Sequence, residues 1–338
     1  MAARGSLQVA PCCLGCPVSD RYVQPLRLLI QMVFLGLSLL IGLRFFRFVQ
    51  SLMLGGEAVL QRPAAIDAFL PISGLFGTTA WLKGGGINPV HPAAVVVFVT
   101  VIVVSLLLRR AFCSWICPVG TLSEWLWKLG FSRLQRNWLP PRWTDLLLRS
   151  VKYLLLAFFL FTAVSWSLPM LQGFLGSGYH AISDVKLLQL FRDPSVTTLA
   201  VLGLMIALSI PLRNPFCRYL CPYGALLGLL STASPLSVQR DSKKCVSCGV
   251  CNQVCPSRID VMHATRVTSP ECLGCWRCIS HCRVHTALSM RAFGRVALPG
   301  IIFAALVVLI FWGGTKIGKL TGHWESQVTP ADYRMLLR

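Results

Sequence analysis

Five apolar runs, at roughly 26–48, 93–112, 152–170, 195–212 and 296–314, constrain this chain more than any other feature. A membrane-spanning helix takes about 20 mostly apolar residues, within a range of roughly 17–25. The fourth run is near that minimum, and the second reaches it only by passing Leu108 into Arg109 and Arg110. All five read as spanning helices. Composition agrees, with 13% charged residues against about 25% in a typical soluble domain. No small-residue cleavage site follows the first run, where Arg44, Phe45, Phe46 and Arg47 stand, so it reads as a retained helix and not a cleaved signal peptide.

The charge is strongly one-sided, at +20. Its arginines and lysines bracket apolar segments, which points to topology and anionic lipid headgroups and away from nucleic acid. The N-terminal segment counted through Arg27, residues 109–152 and residues 213–295 hold 22 of the 32 Lys and Arg. By the positive-inside rule these three segments face the cytoplasm, and five crossings leave the C-terminal tail outside. All 15 cysteines fall in the same three segments or at their edges. Thiols meant for metals belong in a reducing compartment, so the two signals agree.

Between the fourth and fifth runs lies a polar insert, 236–292, with an internal repeat. It reads CVSCGVCNQVCP at 245–256 and CLGCWRCISHCR at 272–283, each copy C-x2-C-x2-C-x3-C. Three closely spaced thiolates wrap one corner of a cubane and the fourth ligand comes from the other copy. That rule assigns Cys245, Cys248, Cys251 and Cys282 to one [4Fe–4S] cluster, and Cys272, Cys275, Cys278 and Cys255 to a second. Zinc, the competing reading, normally uses two C-x2-C pairs per ion and not runs of four with repeated 2-2-3 spacing. The insert closely resembles bacterial two-cluster ferredoxins. Arg283 stands where the second motif would usually carry proline, which predicts a changed turn there and not a lost cluster. Gly249 and Gly274 are expected to let backbone approach the sulfides. His281 and His285 read as surface or outer-layer residues. Trp276 and Arg277 read either as a docking surface or as a cover over the cluster.

A second repeat sits in the membrane region. FCSWICPVG at 112–120 returns as FCRYLCPYG at 216–224, each after an apolar run closed by arginine. Cysteines at i and i+4 share a helix face, and Pro118 and Pro222 disfavour helix just before them. Each pair therefore marks a helix end at the cytoplasmic surface. Three readings stand for Cys113, Cys117, Cys217 and Cys221: small buried packing residues, ligands converging on a third metal centre, or redox dithiols that hand on copper or electrons. After the first pair, TLSEWLWKLGFSRL reads as an amphipathic interfacial helix. Cys12, Cys13 and Cys16 form a looser C-x3-C-P near the N-terminus.

These motifs together resemble the polyferredoxin-type membrane proteins: the NapH-type quinol dehydrogenase component, the NosR-type regulator and the CcoG (FixG)-type assembly proteins. The resemblance spans the chain to about residue 292. It implies electron transfer between the quinone pool and a partner redox protein, as a quinol dehydrogenase component and not a stand-alone catalyst. The alternatives are an iron–sulfur reductase of copper or an assembly factor, and a membrane redox sensor. A fifth apolar run and an outer tail depart from these relatives.

No C-x-x-C-H, Walker A loop or dinucleotide fingerprint is present, and no histidine lies inside an apolar run. Two outer loops each carry one histidine and an acid, His91 with Asp67 and His180 with Asp184; these could accept quinol protons or simply cap the bundle.

The expected protein is an all-α membrane protein with about five transmembrane helices plus a small α+β two-cluster ferredoxin-like insert. Its parts are a cytoplasmic segment 1–25, a duplicated transmembrane region 26–235, the ferredoxin-like domain 236–292, and a fifth helix with outer tail 293–338. The expected location is the bacterial inner membrane.

Overall fold

The computed structural model describes residues 22–53, 60–134, 140–284 and 286–337; Cys12, Cys13, Cys16 and His285 lie outside them. The principal helices are α1 (Val23–Met53), α2 (Pro71–Ala80), α3 (Pro92–Leu108), α4 (Pro118–Leu134), α5 (Arg142–Ser165), α6 (Leu168–Leu175), α7 (Ser183–Arg192), α8 (Val196–Ser209), α9 (Pro222–Ser231), α10 (Gly300–Leu320) and α11 (Pro330–Leu336). Proline opens α2, α3, α4, α9 and α11, where its fixed φ and missing N–H suit the first helical position.

Three helices, α1, α5 and α10, are long and apolar enough to cross a bilayer, and most of their surface is exposed. The fourth run forms α8, joined to α7 across a 77° bend, and the two together make a fourth candidate span. Pro194 causes the break, since it bars the preceding residue from helix, and Asp193 adopts φ −123°, ψ 63°. The second run yields α3, only 17 residues long. Ala93, Ala94, Val95, Val97, Phe98, Val101 and Val104 of α3 are all buried. A helix enclosed by protein has its length set by packing and not by hydrocarbon thickness.

The chain divides into two compact units. The first comprises residues up to Met32, Val104–Lys152 and Leu204–Val307, and it contains every described cysteine. Its sheet has four strands, β1 (Leu236–Arg240), β2 (Arg266–Val267), β3 (Leu288–Ala292) and β4 (Val296–Ala297), in the order β2-β1-β3-β4. All pairings are antiparallel, with Val238 opposite both Val267 and Met290. Leu236, Val238, Val267, Leu288 and Met290 are buried on this sheet. The strand β4 lies beyond the insert boundary expected at 292.

The second unit comprises Val33–Val103, Tyr153–Gly203 and the residues from Val308 onward. There α10 packs against α3 through two small residues four apart. A Cβ on Gly314 would overlap Thr100, and one on Gly318 would meet Val96 at 2.6 Å. Such small-residue pairs let membrane helices approach closely. One apolar core gathers Phe45, Phe48, Val49, Leu52, Ile182, Val185 and Tyr333.

Four of the basic residues do not serve the role expected of them. Arg27, Arg109, Arg110 and Lys152 are buried, so they do not meet lipid headgroups. Asp67, Glu124, Asp145, Asp184 and Glu271 are buried too, and each meets an arginine. A charge is stable in such surroundings only when paired and hydrogen-bonded.

Candidate iron–sulfur sites

The two C-x2-C-x2-C-x3-C runs fold alike. In the first, Ser247 and Gly249 adopt φ of 53° and 72°; in the second, Gly274 and Trp276 adopt 58° and 61°. The same two positions are left-handed in both copies, although the residues differ. Successive N–H groups in such turns form a concavity that suits an anionic group. After each turn comes a short helix, Val250–Val254 or Arg277–Ser280, with the last cysteine just beyond it.

The copies then exchange their fourth cysteines. One cavity is lined by Cys245, Cys248, Cys251 and Cys282, together with Met262, Ala287 and Leu288. The other is lined by Cys255, Cys272, Cys275 and Cys278, over Val238 and Val267 of the sheet. The donor set of each cavity is four thiols with no histidine or carboxylate. Among the described residues, no three His, Cys, Asp or Glu side chains close on a point as a single metal ion requires. Thiols that share a cavity yet stand apart fit a multi-iron cluster better than a zinc ion.

The cavities differ in exposure. Cys248 is exposed, whereas Cys255 and Cys272 are buried. Cys245 is held below the ordinary thiol value by the backbone N–H of Ser247 and by Arg240. Burial, with the neighbouring charges of Cys275 and Cys272, pushes Cys255 up to about 11. Binding iron there must displace the proton, so uptake is linked to pH.

Trp276 does not form a docking surface. It is 2% exposed and packs on Phe303 with ring centroids 5.7 Å apart. Arg277 hydrogen-bonds to Glu124 of α4. Glu124, Ser123 and Trp127 form the buried face of that helix while Leu122 and Leu129 are exposed. Three arginine and lysine partners, Arg277, Arg27 and Lys128, overcome burial and hold Glu124 at about 2. His281 lines neither cavity and bonds the carbonyl of Arg277 at 2.9 Å. Despite Arg283, Cys282 keeps its place in the first cavity.

The four cysteines of the membrane repeat also come together. A single buried guanidinium, Arg110, donates to the carbonyl of Cys217 at 3.3 Å, lies against Gly224 and has Cys113 within its electrostatic reach. Phe112 and Tyr223 meet edge to face at 6.2 Å. The backbone N–H of Gly224 points at Cys221 Sγ, 3.2 Å away. Burial and the charge of Cys113 push Cys117 up to about 12, and burial also raises Cys217 well above its ordinary value. The motif's glycines have a steric reason. A Cβ on Gly120 would overlap the carbonyl of Cys113, and one on Gly224 would meet Arg110 at 2.5 Å.

Both halves of this repeat grip the second cavity. Ser114 Oγ donates to Leu273 O at 2.7 Å and Trp115 Nε1 to Gly274 O at 3.1 Å. From the other half, Arg218 Nη1 donates to Pro256 O at 3.0 Å and Arg213 Nη1 to Cys255 O at 3.2 Å. Arg218 is itself fixed by Asp145 through two bonds, of 2.9 and 2.8 Å.

In the second unit, the loop histidines join one buried network. His91 Nδ1 lies 3.0 Å from Asp67 and its Nε2 2.9 Å from the carbonyl of His180. The expected pairing of His180 with Asp184 is not made. His180 meets Ser73 at 2.8 Å, while Asp184 accepts from Arg62 and from Tyr333, both at 2.9 Å. Arg62 bonds Asp67 as well. Burial, with the charge of His91, lowers His180 to about 4.

Residues 90–140 and 195–238 match the family described as "4Fe-4S binding domain", and residues 237–283 match "4Fe-4S dicluster domain". The chain is 38% identical over 317 residues to the putative electron transport protein YccM of Escherichia coli, covering 91% of this chain and 88% of YccM. It is 27% identical over 189 residues to the ferredoxin-type protein NapH of the same organism, covering 52% of this chain and 59% of NapH. The chain belongs to the NapH/NosR-type polyferredoxin family. A further member of this family, the methylamine utilization ferredoxin-type protein MauN of Methylorubrum extorquens, is 31% identical over 202 residues, 55% of this chain and 61% of MauN. No solved structure matches the chain.

As a polyferredoxin-family member the chain is a 4Fe–4S ferredoxin-type membrane protein. Sequence reasoning found all twelve described cysteines but missed what surrounds them. Trp115 and Arg218 lay inside the two repeated motifs and Arg110 just before the first, but no spacing pointed to their contacts. For Glu271 the available signal was its place directly before Cys272, in a chain with only 12 acids.

Proposed function

We propose that this protein carries single electrons between the quinone pool and a partner redox protein, through two [4Fe–4S] clusters in its ferredoxin-like insert. The observation that carries this reading is the exchange of fourth cysteines, which gives each cavity four thiols from two chain segments. Cys245, Cys248, Cys251 and Cys282 would hold one cluster, and Cys255, Cys272, Cys275 and Cys278 the other. When bound, such a cluster supplies a one-electron store at a potential set by burial and by hydrogen bonds to its sulfurs. Apolar side chains line much of both cavities, Met262, Ala287 and Leu288 in the first and Val238 and Val267 in the second. The partner would dock at the exposed Cys248 edge.

In this reading the protein lies in the bacterial inner membrane with five crossings, α3 and the α7–α8 pair included, and with the insert in the cytoplasm. A quinol that gives up two electrons also releases two protons. His91, backed by Asp67, is the proposed acceptor on the outer side. Burial disfavours the charged form of His180.

The test is anaerobic purification followed by addition of a lipid-soluble quinol. Bleaching of the iron–sulfur absorbance on quinol addition is the expected result. Clusters that dithionite reduces but no quinol does would reject the quinone pool as donor. A protein without acid-labile sulfide would reject the clusters themselves.

A further inference from the structure

We propose that Cys113, Cys117, Cys217 and Cys221 together hold a third iron–sulfur cluster, which exchanges single electrons with the cluster of Cys255, Cys272, Cys275 and Cys278. The inference builds on the proposed function, since it needs the second cluster as its neighbour.

Four observations carry it. First, the two cysteine pairs, 104 residues apart in sequence, converge about one guanidinium. Arg110 donates to the carbonyl of Cys217 and lies against Gly224, beside Cys221, with Cys113 within its electrostatic reach. Second, this arginine suits a cluster. A cubane bearing four thiolates is a net anion, and a buried anion needs a fixed counter-charge. Arg110 also reaches Glu271, which takes Lys152 as a second partner at 2.6 Å. The network therefore joins two cations, Arg110 and Lys152, to one carboxylate close to the four thiols. Third, the repeat supplies the hydrogen bond to sulfur that cluster ligands use, from Gly224 N–H to Cys221 Sγ. Fourth, the segments matching "4Fe-4S binding domain" contain no cysteines besides these four.

A packing role would leave several features unexplained. Apolar packing does not require a buried arginine against the thiols, nor glycines that bring each following helix onto its cysteine pair. A preformed single-ion site is not present among the described residues. A cluster spreads its thiolates around a multi-atom core and needs no such close approach.

The neighbour is fixed by direct contacts. Cys113 and Cys275 line one cavity, with Ser114 and Leu273. Ser114 and Trp115, between Cys113 and Cys117, bond Leu273 and Gly274, between Cys272 and Cys275. Arg218, between Cys217 and Cys221, bonds Pro256, next to Cys255. Each half of the membrane repeat thus bonds one of the two chain segments that form the second cavity. In the transfer, the donor cluster rises from [4Fe–4S]+ to [4Fe–4S]2+ and the acceptor falls from 2+ to 1+. No bond breaks and no proton moves. The electron originates from the quinol of the proposed function, or from dithionite in the test below. The order is then quartet, buried cluster, exposed cluster.

Iron and sulfide per chain, with EPR of the fully reduced protein, test this. The expected wild-type count is about twelve irons. Cys117→Ala with Cys221→Ala should remove about four of them and one EPR component, together with its spin–spin broadening of the Cys272-cluster signal. A wild-type count of about eight, unchanged in the double variant, would overturn the inference. Cys248→Ala is the control for the underlying reading. If it loses no iron, the ferredoxin assignment fails, whatever the quartet does. If the double variant does not accumulate, the wild-type spectrum decides: three interacting spins support the third cluster, and two overturn it.

Discussion

The indole N–H of Trp115 donates to the carbonyl oxygen of Gly274 across 3.1 Å, and both residues are enclosed. Trp115 lies between the two cysteines of the first membrane motif, and Gly274 lies between Cys272 and Cys275. One hydrogen bond therefore joins the membrane cysteine repeat to the ferredoxin-like insert, and it fixes the left-handed Gly274 turn from behind.

Replacing Trp115 with Phe removes that donor and part of a buried ring. Loss of the hydrogen bond to an enclosed carbonyl costs about 1–3 kcal/mol. The expected outcome is earlier thermal loss of the cluster at Cys272, with the exposed cluster retained. Differential bleaching on heating, followed by EPR, reads this. Equal loss of both signals would mean that Trp115 supports the whole insert.

The exchange of fourth cysteines predicts which variants resemble each other. Cys282→Ala should reproduce the spectrum of Cys248→Ala, and Cys255→Ala that of Cys278→Ala, each losing about four irons. If Cys282→Ala instead matches Cys278→Ala, the ligands come from within each motif and the assignment is wrong.

Glu271 pairs with both Lys152 and Arg110, which are buried. Glu271→Gln removes the carboxylate that they share, and breaking a buried pair in this way costs about 3–5 kcal/mol. A lower melting temperature in detergent is expected. Glu271→Asp should recover only part of it, because the shorter side chain cannot reach both cations. A melting temperature unchanged in Glu271→Gln would show that the carboxylate is dispensable.

His180 gives a pH signature. Its folded value, about 4, lies below the ordinary 6.5 because burial and then His91 disfavour the charged form. Protonation therefore favours unfolding. The contribution is fully present above pH 6.5 and is lost as pH falls through about 4, up to about 3 kcal/mol in all. His180→Gln keeps a polar partner for Ser73 and removes the titration. The difference in stability between wild type and variant should shrink on acidification across that window; a constant difference would contradict the assigned environment.

Much of this protein was legible in its residues. Apolar runs gave the positions of α1, α5, α8 and α10, because a helix in hydrocarbon must be apolar along its whole length. The doubled 2-2-3 spacing identified the crossed cysteine sets, because cluster geometry limits the chain between ligands. Less was legible where partners are distant in sequence. The short, enclosed α3 and the bent α7–α8 pair depart from five straight spans. Trp276 read equally as a docking residue or as a cover over the cluster, and only its burial favours the second. His180 and Asp184, four residues apart, take different partners.

Local spacing by itself determined the iron–sulfur character, the membrane class and the identity of the cysteines, since those depend on residues close in the chain. Only the tertiary structure decided where the charges go. It buried Arg110 beside Cys113 and Cys217, joined Glu271 to Lys152, and brought both FCxxxCPxG repeats onto the buried ferredoxin cavity. Electrostatic pairing acts through space between segments more than a hundred residues apart, and no sequence period records it.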